Sequence, residues 1–386
     1  MRKIRMGMVG GGRDAFIGAV HRSAAALDGQ IELVCGAFSS SARKSRLSGA
    51  DLYLPEERVY ASYQEMFARE AALDAGEAMD FVSIVTPNDS HFPIASGALL
   101  AGFHVMSDKP ATFDLAEARA LQKIIADTGL EYGLTHNYTG YPLVKEARKI
   151  VREGQIGKVR KVVVEYSQGW LSTRLEDEDN KQAAWRTDPA RSGASGCMGD
   201  IGTHGSNLLE YITGLRIVEL SAELTTFVEG RRLEDDGNVL LRLDNGARGI
   251  LFASQISVGE ENNLNIRVYG EQGAVIWQQQ QPNALVLRWL DRPEEVIRAG
   301  VNNDLSPASV YNSRIPGGHP EGYLEAFANL YRNFAGLLQA RLQGSEPDPS
   351  DLDFPTIEDG VRGMAFIETL VKSSASAEKW TRIIED

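Results

Sequence analysis

Ile4-Arg5-Met6-Gly7-Met8-Val9-Gly10-Gly11-Gly12 decides how the chain is read. Residues 4–9 are an apolar run of strand length, and three glycines follow at once. A helical pattern then runs from about Gly18 to Leu27, and Ile31 to Phe38 is a second apolar strand. Strand, glycine loop, helix, strand is the opening of a doubly wound dinucleotide fold. There a pyrophosphate rests on backbone N–H groups at a helix N-terminus, where the helix dipole favours negative charge. The spacing departs from G-x-G-x-x-G: Ala15 stands where the third glycine belongs, and Gly18 comes six residues after Gly12, as though three residues were inserted. Taken alone, the motif also fits a plain Gly-rich turn.

The next segments weigh for the dinucleotide fold. A second strand that serves NAD usually ends in an acid for the ribose 2′-OH. Here Ser39 takes that place, followed by Ser40, with Arg43 and Lys44 beyond. Small hydroxyls and a guanidinium suit a 2′-phosphate, so the reading leans to NADP over NAD. Asp80 to Val85 is a buried-strand run ending in Thr86-Pro87-Asn88-Asp89-Ser90-His91, and a helix follows from Pro93 to Ala101. Gly102 to Met106 is the next strand, ending in Ser107-Asp108-Lys109-Pro110; Phe113 to Thr128 reads as a helix and Leu130-Tyr132-Leu134 as a further strand. Strands separated by helix-length segments imply a parallel sheet, with ligands beyond the carboxyl ends of its strands. Thr86, Asn88 and Lys109 sit at such ends, and the proline after Lys109 restricts its backbone.

His136-Asn137-Tyr138-Thr139-Gly140-Tyr141-Pro142 is a polar, aromatic loop before a helix from Leu143 to Glu153. Its position places it near the nicotinamide end of a dinucleotide, an ordinary aromatic turn being the plainer reading. From Lys158 the character changes to long half-buried strands, at 158–166, 217–227, 238–243, 247–257, 264–269, 274–277 and 284–289. Asp244-Asn245-Gly246 is a hairpin signal. The expected fold is an α/β Rossmann domain with a doubly wound parallel sheet (residues 1–135), then an α+β domain with a large open, mostly antiparallel sheet (136–386). A free sheet face predicts a homodimer or homotetramer.

The loop from Trp170 to Ser195 interrupts that sheet. Its acidic run Glu176-Asp177-Glu178-Asp179 reads as a solvated tip. Trp185-Arg186 suits a polyhydroxyl ligand, with aromatic faces for the ring and donors for hydroxyls; a surface ion pair for Arg186 stays open. Gly196-Cys197-Met198-Gly199-Asp200-Ile201-Gly202-Thr203-His204 then sets a carboxylate and an imidazole four residues apart, before Leu208, Leu209, Tyr211 and Ile212. One helix through this run would put both on one face. Near the end, His319 lies in a Gly-rich loop that would cap a substrate pocket or simply lead into the helix from Tyr323 to Leu338. A Pro- and Asp-rich linker (344–355) and a last helix (357–373) follow.

Composition narrows the classes. The 386 residues carry a net charge of −13, against nucleic acid and anionic membranes as partners. Two cysteines, Cys35 and Cys197, offer no disulfide framework, and no metal site is expected. The N-terminal run is too short and Gly-rich for a signal peptide, and no apolar window is long enough to span a membrane, so a cytoplasmic location is expected.

With these motifs in view, the chain resembles the Gfo/Idh/MocA oxidoreductases, which include glucose–fructose oxidoreductase and inositol dehydrogenases. Four features carry the resemblance, in the family's order: the N-terminal Gly-rich βαβ, Thr86-Pro87-Asn88 with His91, Asp108-Lys109-Pro110, and Gly199-Asp200-Ile201-Gly202-Thr203-His204. Departures are Asp108 where the family usually has Glu, a longer glycine loop, and Ser39 for the common acid. The resemblance implies a cis Lys109–Pro110 peptide and a catalytic group of Lys109, Asp200 and His204. It implies NAD(P) held by Gly10, Gly12, Arg13, Ser39, Ser40, Arg43, Thr86, Asn88, His91, Asp108, Lys109, Pro110 and Asn137. A sugar or cyclic polyol would meet Lys109, Tyr138, Trp170, Arg186, Asp200, His204 and His319. The implied reaction is hydride transfer between nicotinamide and a carbinol carbon, with His204 as general base and Lys109 polarising the oxygen. An NAD-dependent glycosidase of the same family, or a dinucleotide-sensing regulator without catalysis, stays open.

Overall fold

The computed structural model describes residues 2–13 and 15–384. They fall into two compact units, one comprising residues up to Gly140 together with Tyr323–Val361, the other Tyr141–Gly322 with the residues from Arg362 on.

The first unit is built on five parallel strands in the order β2-β1-β3-β4-β5: β1 (Ile4–Gly10), β2 (Ile31–Ala37), β3 (Phe81–Val85), β4 (His104–Ser107) and β5 (Tyr132–Leu134). The connecting helices are α1 (Phe16–Leu27), α2 (Ala42–Asp51), α3 (Tyr63–Glu70), α4 (His91–Leu100) and α5 (Leu115–Thr128). Every residue of β3 is buried, as expected for a strand covered on both faces. These five strands are the five segments read as strands from the sequence. Beyond β2 only a single parallel bridge forms, between Gly36 and Val59. Pro55 and the tight turn Glu56–Arg58 occupy the approach, so only the end of that stretch reaches β2.

The chain also returns to this unit late. Phe327, Tyr331 and Phe334 of the helix Tyr323–Gln343 pack in one core with Ile4, Met6, Met8 and Phe81. That apolar face is why a segment far past residue 135 clusters with the parallel sheet.

The second unit carries a nine-stranded sheet in the order β13-β12-β11-β10-β6-β9-β8-β7-β14. Its strands are β6 (Lys161–Ser167), β7 (Ile217–Thr225), β8 (Asp236–Leu243), β9 (Arg248–Ser254), β10 (Asn263–Tyr269), β11 (Gly273–Gln278), β12 (Ala284–Trp289), β13 (Glu295–Arg298) and β14 (Thr381–Arg382). All neighbours are antiparallel except β6 and β9. The seven strands expected from alternation are β6 to β12; β13 and β14 are edge strands too short to show a pattern. In the β8–β9 hairpin Gly246 takes φ 89°, and Asn245 Oδ1 accepts from Ala247 N at 2.8 Å.

Helices of this unit include α6 (Pro142–Arg152), α7 (Lys181–Arg186), α8 (Pro189–Ser192) and α9 (Thr203–Thr213). α9 lies directly on the sheet: a Cβ added at Gly205 would stand 3.1 Å from Val164 of β6 and 3.1 Å from Leu251 of β9.

Candidate active site

In the first unit the glycine loop is shaped by main-chain packing. Gly10 and Gly11 take φ of 84° and 68°, a region that side chains disfavour. A Cβ at Gly18 would fall 2.3 Å from Gly11 Cα, so α1 runs backbone to backbone against the loop. Gly18 therefore does the packing of the fingerprint's third glycine, at a different spacing. A Cβ at Gly12 would meet Phe38 O at 2.6 Å, which brings the loop against the end of β2. Arg22, half-buried one turn along α1 from Gly18, donates to Gly11 O at 2.6 Å; nothing in the motif pointed to it.

Arg13 donates its backbone N–H to Ser48 Oγ at 3.1 Å, and its guanidinium pairs with Asp51, Nη2 to Oδ1 at 2.7 Å. That pairing gives the expected cofactor ligand a protein partner. Ser39 Oγ accepts from Ser41 N at 3.2 Å, while Ser40 and Arg43 are exposed around the start of α2.

At the carboxyl ends of the strands, Thr86 Oγ1 and Asn137 Nδ2 are buried with no hydrogen-bond partner among the described residues. Such groups are costly unless something else satisfies them. The Lys109–Pro110 peptide is cis, as the resemblance implied. Asp108 Oδ1 accepts from Lys109 N and from Thr135 Oγ1, both at 2.9 Å. His91, expected to touch cofactor, is 1% exposed with both ring nitrogens on main-chain oxygens: Nδ1 is 2.7 Å from Pro110 O and Nε2 2.8 Å from Thr86 O. It ties the two loops together. Asn88, Asn137 and Tyr138 are buried. Burial, and then the Lys109 charge, lowers the His136 imidazole to about 3, so it is neutral. The N-terminus of α1, where the N-cap Ala15 makes no side-chain hydrogen bond, and the unpartnered polar atoms of Thr86 and Asn137 beyond β3 and β5 fit an extended dinucleotide.

The second unit holds the acid and the imidazole. Asp200 lies in a π-helical turn, Met198–Gly202, and His204 in the first turn of α9. The single regular helix expected over both is thus interrupted by a wide turn, a feature frequent at functional sites. Glu234 anchors the stretch. Its carboxylate accepts from Gly196 N at 2.9 Å, from Met198 N at 3.0 Å and from Ser195 Oγ, and Ser195 Oγ in turn accepts from Gly199 N at 2.9 Å. Burial raises the Glu234 carboxyl, against the pull of these donors. Burial also pushes the Cys197 thiol far up, which leaves no thiolate nucleophile.

Asp200 Oδ2 accepts from Gln255 Nε2 at 2.8 Å and from Arg186 Nε at 3.1 Å. The Arg186 guanidinium lies 4.2 Å from the Trp185 ring centre and 5.9 Å from that of Trp170. Trp170 Nε1 donates to Gln168 Oε1 at 2.9 Å, and Gln168 and Tyr166 both donate to Asn262 Oδ1, at 2.8 and 2.7 Å. The Tyr166 ring is 6.4 Å from the His204 ring, which is 7% exposed. The structure thus brings Trp170, Arg186, Asp200 and His204 into one network of contacts around Gly196–His204 and the ends of β6 and β9.

Two expectations shift. Glu176 is no solvated tip: its carboxylate pairs with Arg231 Nε and Nη2, both at 3.0 Å, and the Arg231 side chain is 1% exposed. His319 sits at an exposed turn, Nδ1 3.2 Å from Pro316 O. Among the described residues no group of three or more His, Cys, Asp or Glu is arranged to hold a metal ion, and no helix is long and apolar enough to cross a membrane.

Comparison with known proteins agrees with this fold. A model of an oxidoreductase family with an NAD-binding Rossmann fold matches residues 4–136, and a GFO/IDH/MocA C-terminal domain model matches residues 144–276. An uncharacterised oxidoreductase of Bacillus subtilis is 33% identical over 98% of this chain and 96% of its own. The crystal structure of an oxidoreductase from Sinorhizobium meliloti is 43% identical with a TM-score of 0.89, covering 99% of this chain and 100% of that one. An inositol dehydrogenase homolog from Azotobacter vinelandii, solved with NADH and myo-inositol, is 34% identical with a TM-score of 0.90, covering 99% of this chain and 98% of that one. The chain belongs to the Gfo/Idh/MocA oxidoreductases, with an N-terminal NAD-binding Rossmann domain.

Proposed function

We propose that the protein is an NAD(P)-dependent dehydrogenase that oxidises a secondary hydroxyl of a sugar or cyclic polyol. The observation that carries this reading is the network in the second unit: a buried imidazole, His204, one turn past a carboxylate held by a guanidinium and an amide, beside two indoles. Donors, acceptors and apolar ring faces together are what a polyhydroxylated ring needs. The Azotobacter relative was solved with such a ring, myo-inositol.

Nicotinamide, when bound, supplies the hydride-accepting ring. Gly10 and Gly12 would offer main-chain N–H groups to the pyrophosphate, and Thr86 and Asn137 would spend their unpartnered atoms on the cofactor. Ser39, Ser40 and Arg43 support acceptance of a 2′-phosphate, hence NADP ahead of NAD. Oxidation of the carbinol releases a hydride from carbon and a proton from oxygen. His204 takes that proton, the general-base role for which an imidazole is suited. Lys109 polarises the same oxygen, and Asp200 accepts from a neighbouring hydroxyl. We place the protein in the cytoplasm, as a homodimer or homotetramer joined through the outer face of the nine-stranded sheet, where Leu240 is 47% exposed.

The test is a panel of sugars and polyols followed by nicotinamide absorbance, with NAD and NADP in parallel. Net NAD(P)H is expected with at least one neutral polyol; product without it points to a glycosidase. His204→Ala and Lys109→Ala are each expected to lower kcat by about 10²-fold or more while cofactor still binds. Wild-type turnover in either variant removes that residue from the chemistry.

A further inference from the structure

The excursion from Trp170 to Ser195 leaves the sheet after β6 and comes back to it through two arginine clasps. At one, Arg231 donates to Glu176, to Asp235 Oδ2 at 3.1 Å, and to the carbonyls of Leu171 and Thr173 at 2.8 and 2.9 Å. At the other, Arg186 at the end of α7 reaches Asp200. In the first clasp the Arg231 side chain is 1% exposed and that of Glu176 11%, and the pair joins the loop to the β7–β8 connection. The second is partly buried and ends on the carboxylate that the function reading gives to substrate.

Three features separate Arg186–Asp200 from an ordinary surface pair, which contributes little. Its side chains are only 24% and 14% exposed. The guanidinium is flanked by Trp170 and Trp185, which favour a planar, weakly hydrated cation. Its orientation is also over-determined, because Nη1 donates to Gln182 Oε1 at 2.6 Å while Nε is on Asp200. Gln255, just past β9, adds a second donor to the same Asp200 oxygen at 2.8 Å. A carboxylate on a short side chain otherwise has rotamer freedom to lose when substrate arrives.

We propose that Arg186 is a positioning residue for Asp200: held beside two indoles, it fixes the rotamer from which Asp200 receives a substrate hydroxyl. The inference rests on the dehydrogenase reading above and refines it. Arg186 acts through Asp200 rather than as a ligand of its own, so substrate affinity is set by the loop as well as by the Gly196–His204 stretch.

The test is chemical rescue. Arg186→Ala is expected to raise KM for the polyol about 10- to 100-fold, the worth of one charge-assisted bond, with a smaller change in kcat and unchanged NADH affinity. Millimolar guanidinium should re-enter the space beside Trp170 and Trp185 and lower that KM again. Equal methylammonium or sodium chloride should not, since neither has the planar fork. Arg186→Lys, which keeps the charge, should sit between wild type and alanine. Guanidinium should also give a saturable change of tryptophan fluorescence in Arg186→Ala that wild type lacks. An unchanged KM, or a raised KM in a folded, NADH-binding variant that guanidinium fails to recover, overturns the inference. A wild-type enzyme inert toward every polyol sinks the dehydrogenase reading alone. Fluorescence then decides the guanidinium site, and absence of a saturable guanidinium response overturns it.

Discussion

The two candidate binding regions are built by different means. The glycine loop of the first unit is made of main chain: Gly11 and Gly18 touch backbone to backbone, and Gly12 lies on Phe38 O. The Gly196–His204 stretch of the second unit is held by side chains from elsewhere, Glu234, Gln255 and Arg186. A main-chain site tolerates no added atom but asks little of its neighbours' identity. A side-chain site tolerates small changes of shape but depends on particular partners brought from distant strands.

The strongest challenge to this contrast is Gly18→Ala. Its methyl group would fall on Gly11 Cα, where no flexible end can give way, so a loss of about 3 kcal/mol or more is expected, with cofactor binding lost alongside. Thermal unfolding with and without NADH measures both. A Gly18→Ala protein as stable as wild type would mean that the loop is not fixed by backbone contact.

Glu234→Gln tests the other side. The amide keeps the shape but turns a donor toward Ser195 Oγ or a backbone N–H, at a cost of about 1–2 kcal/mol near neutral pH. The pH dependence has a definite sign. Burial raises the folded carboxyl above its unfolded value, so the folded state binds the proton more tightly. The stability this gives is complete below about pH 4.3, the unfolded value, and is lost as pH rises through the folded one. Glutamine has no such titration, so its stability curve should be flatter from about pH 4.3 upward. Parallel curves for the two proteins would show that Glu234 is not the buried carboxyl described.

The smallest expected effect concerns Thr86. Thr86→Val removes a buried hydroxyl that lacks a partner, so the protein without cofactor should be as stable as wild type or slightly more so. Cofactor Kd should rise about 10-fold if that hydroxyl is spent on the dinucleotide. Equal Kd values would place the cofactor away from it, and calorimetric titration reads the difference.

What was legible in the sequence follows the same division. Apolar runs and glycines write the parallel sheet and its loop directly, since strand burial and close backbone approach are properties of single residues. Gly18 could be seen but not understood, because its role is a contact and the inserted residues hide the spacing. The alternation of β6 to β12 was readable; edge strands of two and four residues were not. Asp200 and His204 stood out as a pair, but the π-helical turn between them leaves no mark in local composition. Glu234, Gln255 and Arg231 carried no signal, because each matters through partners distant in sequence: Ser195, Asp200 and Glu176. Glu176 was misread because one acid in an acidic run looks like its solvated neighbours.

The two arginine clasps also bear on how such a loop changes over generations. Between Glu176 and Arg186 the chain has only to span the distance from one clasp to the other. Its length and composition in between are free to drift as long as the two ion pairs survive and Gln182 and Trp185 still hold Arg186. A surface excursion tied at two points can be exchanged as a cassette: new side chains reach the ligand while the sheet, α9 and the acid–imidazole pair stay untouched. For anyone redesigning substrate choice, residues 177–181 are therefore the place to cut and graft, and Glu176–Arg231 and Arg186–Asp200 the two fastenings to leave in place.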